Sequence, residues 1–272
     1  MNRQVPETIA IIGNGKVARH LVRYCDLVGQ PHVQWFRHAH PEARAFGQKP
    51  ASRLARFRNS LRKLFSTTAV KDLATTVAAV KTVLILLPDD QIESFITRNP
   101  VLQHKNCIHF SGSLQTSLAS GCHPLMTFGG QPYDLDQYQK IPFVIDLDVD
   151  FQQLFPLFNN PTHVIDAEHK VLYHALCVMA GNFSQTLWRL VGQELAGMNL
   201  PADLMSSYLK QNTQNFINHP ETAATGPFVR GDLQTIDKHI QALTGHPLGE
   251  VYQAFYKLHQ QHNPTQLRSQ SS

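Results

Sequence analysis

The stretch of this chain with the clearest chemical signature is Gly13-Asn14-Gly15-Lys16-Val17-Ala18, a G-x-G-x-x-A turn directly after Thr8-Ile9-Ala10-Ile11-Ile12. In such a turn the first glycine permits a tight bend and the second lets backbone approach a pyrophosphate. A small third residue lets helix and strand pack closely. Free N–H groups at the helix start, together with its dipole, favour the phosphate charge. The pattern predicts a dinucleotide on Gly13–Ala18; the plain alternative is a tight turn that holds no ligand.

The next strand end bears on the choice of dinucleotide. Proteins that bind NAD place an acid there, about 20 residues past the glycines, for the ribose 2′-hydroxyl. Here the residues are Trp35-Phe36-Arg37-His38, and the first acid after them is Glu42. Arg37 suits stacking on adenine or pairing with a 2′-phosphate. NADP(H) is therefore expected over NAD(H), with Arg37 and His38 at the adenosine end. An ordinary surface arginine is the simpler alternative for Arg37.

Two more turns fall where ligands of parallel sheets gather, at the carboxyl ends of strands. They are Leu87-Pro88-Asp89-Asp90 and Ser111-Gly112-Ser113. Leu87, Pro88, Asp89, Ser111, Gly112 and Ser113 are candidate cofactor contacts. Helix capping by the aspartates and a plain serine turn are the competing readings. His123 lies in His123-Pro124-Leu125-Met126-Thr127-Phe128, read as a loop near the sheet edge, where it either touches the cleft or is structural.

Lys170, His174 and Asn182 interrupt a long apolar helical stripe. On an unbroken helix His174 and Asn182 are about 12 Å apart along the axis and offset by about 80°. His174 is the candidate proton donor to a carbonyl or imine, and Asn182 the candidate holder of a polar substrate group. Lys170 is a rival acid, or else a solvated lysine near the helix start. Arg230, in Thr225-Gly226-Pro227-Phe228-Val229-Arg230-Gly231-Asp232, suits a substrate carboxylate; the alternative is an interhelix turn capped by Asp232. The expected catalytic set is His174, Asn182 and Arg230. No metal is expected, since the cysteines lack ligand spacing.

The elements that would position these residues read as α/β, a doubly wound Rossmann-type parallel sheet followed by an all-α domain. Strands are predicted at 8–12, 33–36, 82–87, 107–110, 143–147 and 162–165. A helix spans 17–27, with Gly29 as its stop. Residues 51–65 form a helix with a basic face, a solvated surface or a contact for an anionic partner. Beyond 165, one helix of roughly 30 residues runs from Ala167 to Ala196, with Leu172, Leu176, Met179 and Phe183 along its apolar stripe. Pro201 opens another helix in its first turn, Asp232 caps a third, and 248–258 form a fourth. Domains are expected at 1–165 and 166–262, with a flexible tail at 263–272.

The chain has 272 residues, 42% of them hydrophobic, and a formal charge of +4. Its apolar runs are too short for a bilayer span, and no signal-peptide core precedes Thr8. A cytoplasmic globular protein with reduced cysteines and neither membrane nor nucleic-acid partners is expected.

Taken together, these segments resemble the Rossmann-like proteins that carry a DUF2520 C-terminal domain. The resemblance rests on Ile11–Ala18, Pro88-Asp89-Asp90, His109-Phe110-Ser111-Gly112, His123–Met126, Tyr173-His174-Ala175 to Asn182, and Thr225–Asp232. That family is similar to ketopantoate reductases, pyrroline-5-carboxylate reductases and 6-phosphogluconate-type dehydrogenases. The resemblance implies an NADP-dependent oxidoreductase acting on a small molecule between a Rossmann domain and a helical domain, and a homodimer formed through the helical domain. Ketopantoate reductases open their first long helix with a catalytic lysine followed by two asparagines. This chain places His174, Val178 and Asn182 there, which argues against that particular reaction. A non-catalytic NADP-binding redox sensor and, more distantly, a methyltransferase are the rival functions.

Overall fold

A computed structural model describes residues 6–37 and 72–262. His38, the basic segment 51–65 and the tail 263–272 lie outside the described residues. The chain divides into two compact units, Met1–Thr186 and Leu187–Ser272.

The first unit is built on a seven-stranded sheet. Its strands are β1 (Ile9–Ile12), β2 (His32–Trp35), β3 (Thr82–Ile85), β4 (Asn106–His109), β5 (Ser120–Pro124), β6 (Phe143–Asp146) and β7 (Thr162–Ile165), in the spatial order β2-β1-β3-β4-β5-β6-β7. The doubly wound α/β architecture is as expected. Helix α1 (Lys16–Val28) follows β1 and stops at Gly29, whose φ of 80° is left-handed. Helices α2 (Leu73–Val77) and α3 (Asp89–Arg98) flank β3.

Side-chain alternation explains why the sheet is covered on both faces. Ile9 and Ile11 of β1, Leu84 of β3 and Ile108 of β4 enter one core with Leu21, Tyr24 and Cys25 of α1. Ala10, Ile12, Val83, Ile85 and Cys107 enter the other, with Leu73, Val77, Ile92 and Ile96 of α2 and α3. Each strand therefore reads as a continuous apolar run, which is why these strands were legible.

One strand was not. Ser120-Gly121-Cys122-His123-Pro124 contains a glycine and a proline and reads as a loop, yet it is β5, parallel to β4 and antiparallel to β6. His123 thus sits on a strand rather than in a loop. The antiparallel step departs from an all-parallel sheet. The chain between β5 and β6 carries α4 (Leu135–Gln139), five residues long, in place of the full helix that usually covers a parallel crossover. After β6, α5 (Phe151–Leu154) leads into β7, which returns parallel.

The long helix expected from 167 is also interrupted. A 3₁₀ turn (Ala167–His169) leads into α6 (Lys170–Val178), a π turn spans Met179–Phe183, and α7 (Ser184–Gly197) follows. Leu172, Leu176, Met179 and Phe183 along the apolar stripe are each more than half exposed.

The second unit holds the rest of α7, then α8 (Ser206–Asn218), α9 (Pro227–Arg230), α10 (Leu233–Ala242) and α11 (Leu248–His262). Pro201 precedes a 3₁₀ turn, Ala202–Met205, and does not sit inside an α-helix. Asp232 caps α10 by accepting from the Thr235 N–H at 3.1 Å, as its position suggested. Phe228 packs on Tyr252 and Tyr256 of α11 with ring centroids 5.3 Å from each.

Candidate active site

The nucleotide turn has the geometry its residues imply. Gly13 has φ of 124°, and a Cβ there would collide with the Leu86 carbonyl oxygen of the neighbouring strand end. Its N–H donates to Trp35 O at 2.8 Å and its carbonyl accepts from Gln34 Nε2 at 2.8 Å, so β2 holds the bend from both sides. Gly15 is the N-cap of α1 and has ordinary backbone angles; a Cβ on it would meet nothing within 4 Å. No side chain caps this helix, and its first turn carries no acid. A buried Ala18 seats the helix on the core. The arrangement leaves free N–H groups beside open space, which fits a phosphate. Asn14 is half-buried, Lys16 is exposed, Val17 is half-buried, and Arg37 is exposed two residues past β2.

The turns after β3 and β4 are tied together. Asp89, exposed in the first turn of α3, accepts the Ser111 hydroxyl proton at 2.5 Å. Pro88, not an aspartate, occupies the N-cap position of α3, and it offers no capping side chain. The Ser111 oxygen in turn accepts from the N–H groups of Ser113 at 3.2 Å and Leu114 at 3.0 Å. Its hydroxyl is thereby committed to shaping the turn, and Gly112 is presented at its apex.

Four residues from β4, β5 and β6 share one sheet face and receive α6. Cys107, Ile108 and His109 alternate, as do Gly121, Cys122 and His123, and Ile145 and Asp146; Ile108, Cys122 and Ile145 point into the α1 core. Alternation therefore puts His109, Gly121, His123 and Asp146 on the opposite face. His109 pairs in register with Gly121, and the β5–β6 register brings Asp146 alongside. Lys170, 3% exposed, reaches Asp146 at 2.7 Å and 3.0 Å. Asp146 also accepts the Gly121 N–H at 2.6 Å. Glycine at 121 makes the space: a Cβ there would lie 2.6 Å from the Lys170 ammonium. Lys170 is therefore a buried, paired cation and not a solvated one.

One helical turn further along α6, His174 occupies a second such socket. A Cβ on Gly112 would lie 2.6 Å from His174 Cδ2 and 3.2 Å from His123 Nε2. The His123 and His174 rings meet edge to face, their centroids 5.8 Å apart. His123 Nδ1 bonds the Tyr173 hydroxyl at 2.9 Å. Burial pushes His123 down to about 4, with further lowering from His174 and Lys170. Burial, then Lys170, likewise brings fully buried His109 to about 4. Both imidazoles are neutral at pH 7. Ser111 N–H donates to His109 Nδ1 at 3.3 Å, so the His109 proton is on Nε2, which has no partner among the described residues.

The structure thus brings together Gly112, Ser111, Asp89, His123, Lys170 and His174. Asn182 lies in the π turn and is exposed. A π turn holds one residue more than an α turn, so it rotates Asn182 back from its ~80° offset toward the face of His174. Arg230, in the second unit, is exposed at the end of α9 and is followed by left-handed Gly231. Sequence reasoning missed Asp146, Gly121, Tyr173 and His109. The one available signal was Asp146 at a strand end, an acid that a buried lysine would need.

Residues 149–260 match the model of the family described as domain of unknown function DUF2520. No curated protein matches the chain. A Bacteroides fragilis protein provisionally named an NADP oxidoreductase shares the fold, with TM-score 0.69 and 20% identity over 94% of this chain and 98% of that one. A Thermotoga maritima protein aligns with TM-score 0.62 and 19% identity over 95% and 99% of the two chains. An imine reductase of Myxococcus stipitatus in complex with NADP+ aligns with TM-score 0.57 and 11% identity over 95% and 94%. The Rossmann-type fold and the DUF2520 segment are therefore what the residues had implied.

Proposed function

We propose that this chain is an NADP(H)-dependent oxidoreductase that reduces a small carbonyl or imine compound. The carrying observation is the uncapped start of α1 beside Gly15, in one unit with His174 seated over the Gly112 turn. The fold shared with an NADP+-bound imine reductase supports the choice of chemistry. Bound NADPH supplies the hydride.

The chain's own residues do the rest. Gly13 to Ala18 receive the pyrophosphate, Arg37 and His38 take the 2′-phosphate end, and Leu87-Pro88-Asp89 with Ser111-Gly112-Ser113 border the rest of the cofactor. His174, seated over the Gly112 turn, delivers the proton to the substrate heteroatom. Asn182 orients that group. The exposed stripe Leu172–Phe183 is the kind of apolar surface a second copy covers, so the working form is a homodimer. Light scattering on the purified protein reads this directly, and a strict monomer would refute it.

Nicotinamide fluorescence with NADPH and NADH tests the cofactor. Saturable binding with NADPH preferred, and lost preference in Arg37→Ala, is the expected result; NADH preference removes the role of Arg37. Oxidation of NADPH with a panel of keto acids and cyclic imines tests the chemistry. His174→Ala should cut turnover about 10²-fold or more. NADPH binding without turnover on any of them would point to a redox-sensing protein.

A further inference from the structure

Tyr173 and His123 take no part in the proposed reaction as stated, yet they converge on the residue that does. Tyr173 precedes His174 on α6, and His123 comes from β5. One imidazole is therefore bonded to one residue of the helix and packed on the next.

We infer that His123, keyed by the Tyr173 hydroxyl, is a positioning residue that holds the His174 ring over Gly112 in one orientation. This deepens the reductase reading and rests on it for the role of His174. The 2.9 Å bond to the Tyr173 hydroxyl commits His123 Nδ1 whichever of the two groups donates. Burial holds the Tyr173 hydroxyl protonated, its pKa pushed further up by a hydrogen bond with Cys177. Cys177 is one turn along the same helix and half-buried. Neutral His123 is thereby held in a single tautomer, with Nε2 3.2 Å from the position of a Gly112 Cβ. Tautomer and ring plane are thus set together, as in sites where a partner on one ring nitrogen fixes the other.

The groups around this pair are themselves fixed by other contacts. Lys170 is held by Asp146, Ser111 is bonded to Asp89, and His109 is fully buried on the neighbouring strand. His174 is half-buried and meets His123 edge to face, and its ring has no hydrogen bond among the described residues. Its orientation therefore comes from the wall that His123 provides, and the angle from which a proton is delivered depends on that wall.

The test is long-range proton–nitrogen spectroscopy on the full chain labelled with ¹⁵N-histidine. Wild type should show His123 as a single tautomer. Tyr173→Phe should return His123 to a mixture of tautomers and move the ring signals of His174. His123→Phe should move them as well, while His123→Asn, which keeps a hydrogen-bonding group for Tyr173, should leave the His174 signals closer to wild type. A mixture of His123 tautomers in wild type overturns the inference even if no variant folds. Unchanged His174 signals in folded Tyr173→Phe and His123→Phe overturn it too. NADPH titration of the same samples should give the wild-type dissociation constant. Failure of wild type to bind NADPH would sink the reductase reading while leaving the spectroscopic answer intact.

Discussion

Gly13 and Gly15 sit two residues apart and lack a side chain for different reasons. Gly13 is needed by the fold, because its φ of 124° and the Leu86 carbonyl both reject a Cβ. Gly15 has ordinary angles and open space around it, so only a ligand gives it a reason to stay bare. Gly13→Ala should lose stability on the order of 1–3 kcal/mol in urea unfolding. Gly15→Ala should melt within about 2 °C of wild type, since no strain is added. Its NADPH dissociation constant should nevertheless rise ~10-fold or more, equivalent to ~1.4 kcal/mol. A Gly15→Ala protein that binds NADPH normally would mean the turn holds no pyrophosphate. These residues were legible because the motif states backbone requirements. His109 and Gly121 were not, because their roles arise from strand register and no local pattern encodes it.

At the scale of elements, α6 is fixed by the ion pair at its start. Lys170 is almost wholly buried, while the Asp146 side chain keeps 23% of its exposure. Lys170→Met leaves the Asp146 carboxylate without its cation, which costs ~3–5 kcal/mol for a fully buried pair. The residual exposure of Asp146 and its bond from Gly121 N–H place the loss near the lower end of that range. Adding Asp146→Asn should recover part of it, and denaturant unfolding of the two variants measures the coupling. A Lys170→Met protein as stable as wild type would show that something else holds the helix. The existence of α6 and α7 could be read from helical periodicity, but the π turn between them could not. Periodicity averages over a long window, and one extra residue barely alters it. Strand β5 escaped notice for a related reason: its glycine admits a lysine and its proline ends the strand, and both residues normally signal a turn.

For the whole molecule, neutral buried imidazoles set the acid side of stability. His109 and His123 are held to about 4, against about 6.5 in an unfolded chain. His20 is also lowered, by burial among Phe128, Tyr133 and Tyr138. Between pH 6.5 and 4 the unfolded chain takes up protons that the folded one refuses, so unfolding free energy falls as pH falls through that window. The stabilisation is fully present above about pH 6.5, and each such histidine contributes a slope of up to ~1.4 kcal/mol per pH unit. Urea unfolding at pH 7.5, 6 and 5 should show the decline, and His109→Phe should flatten it. A pH-independent midpoint over this range would contradict the assignment of neutral buried rings.

The two sockets also have a meaning for how such a chain can change over generations. Gly112 makes room for His174, and Gly121 makes room for Lys170. A side chain gained at either glycine has to be matched by a smaller partner on α6, and a larger partner cannot be accepted while its socket stays shut. Each glycine and its occupant are therefore inherited as a pair. A lineage that altered the chemistry at 174 would be expected to alter 112 with it, so among descendants of this sequence the identity of residue 112 would report what stands above it.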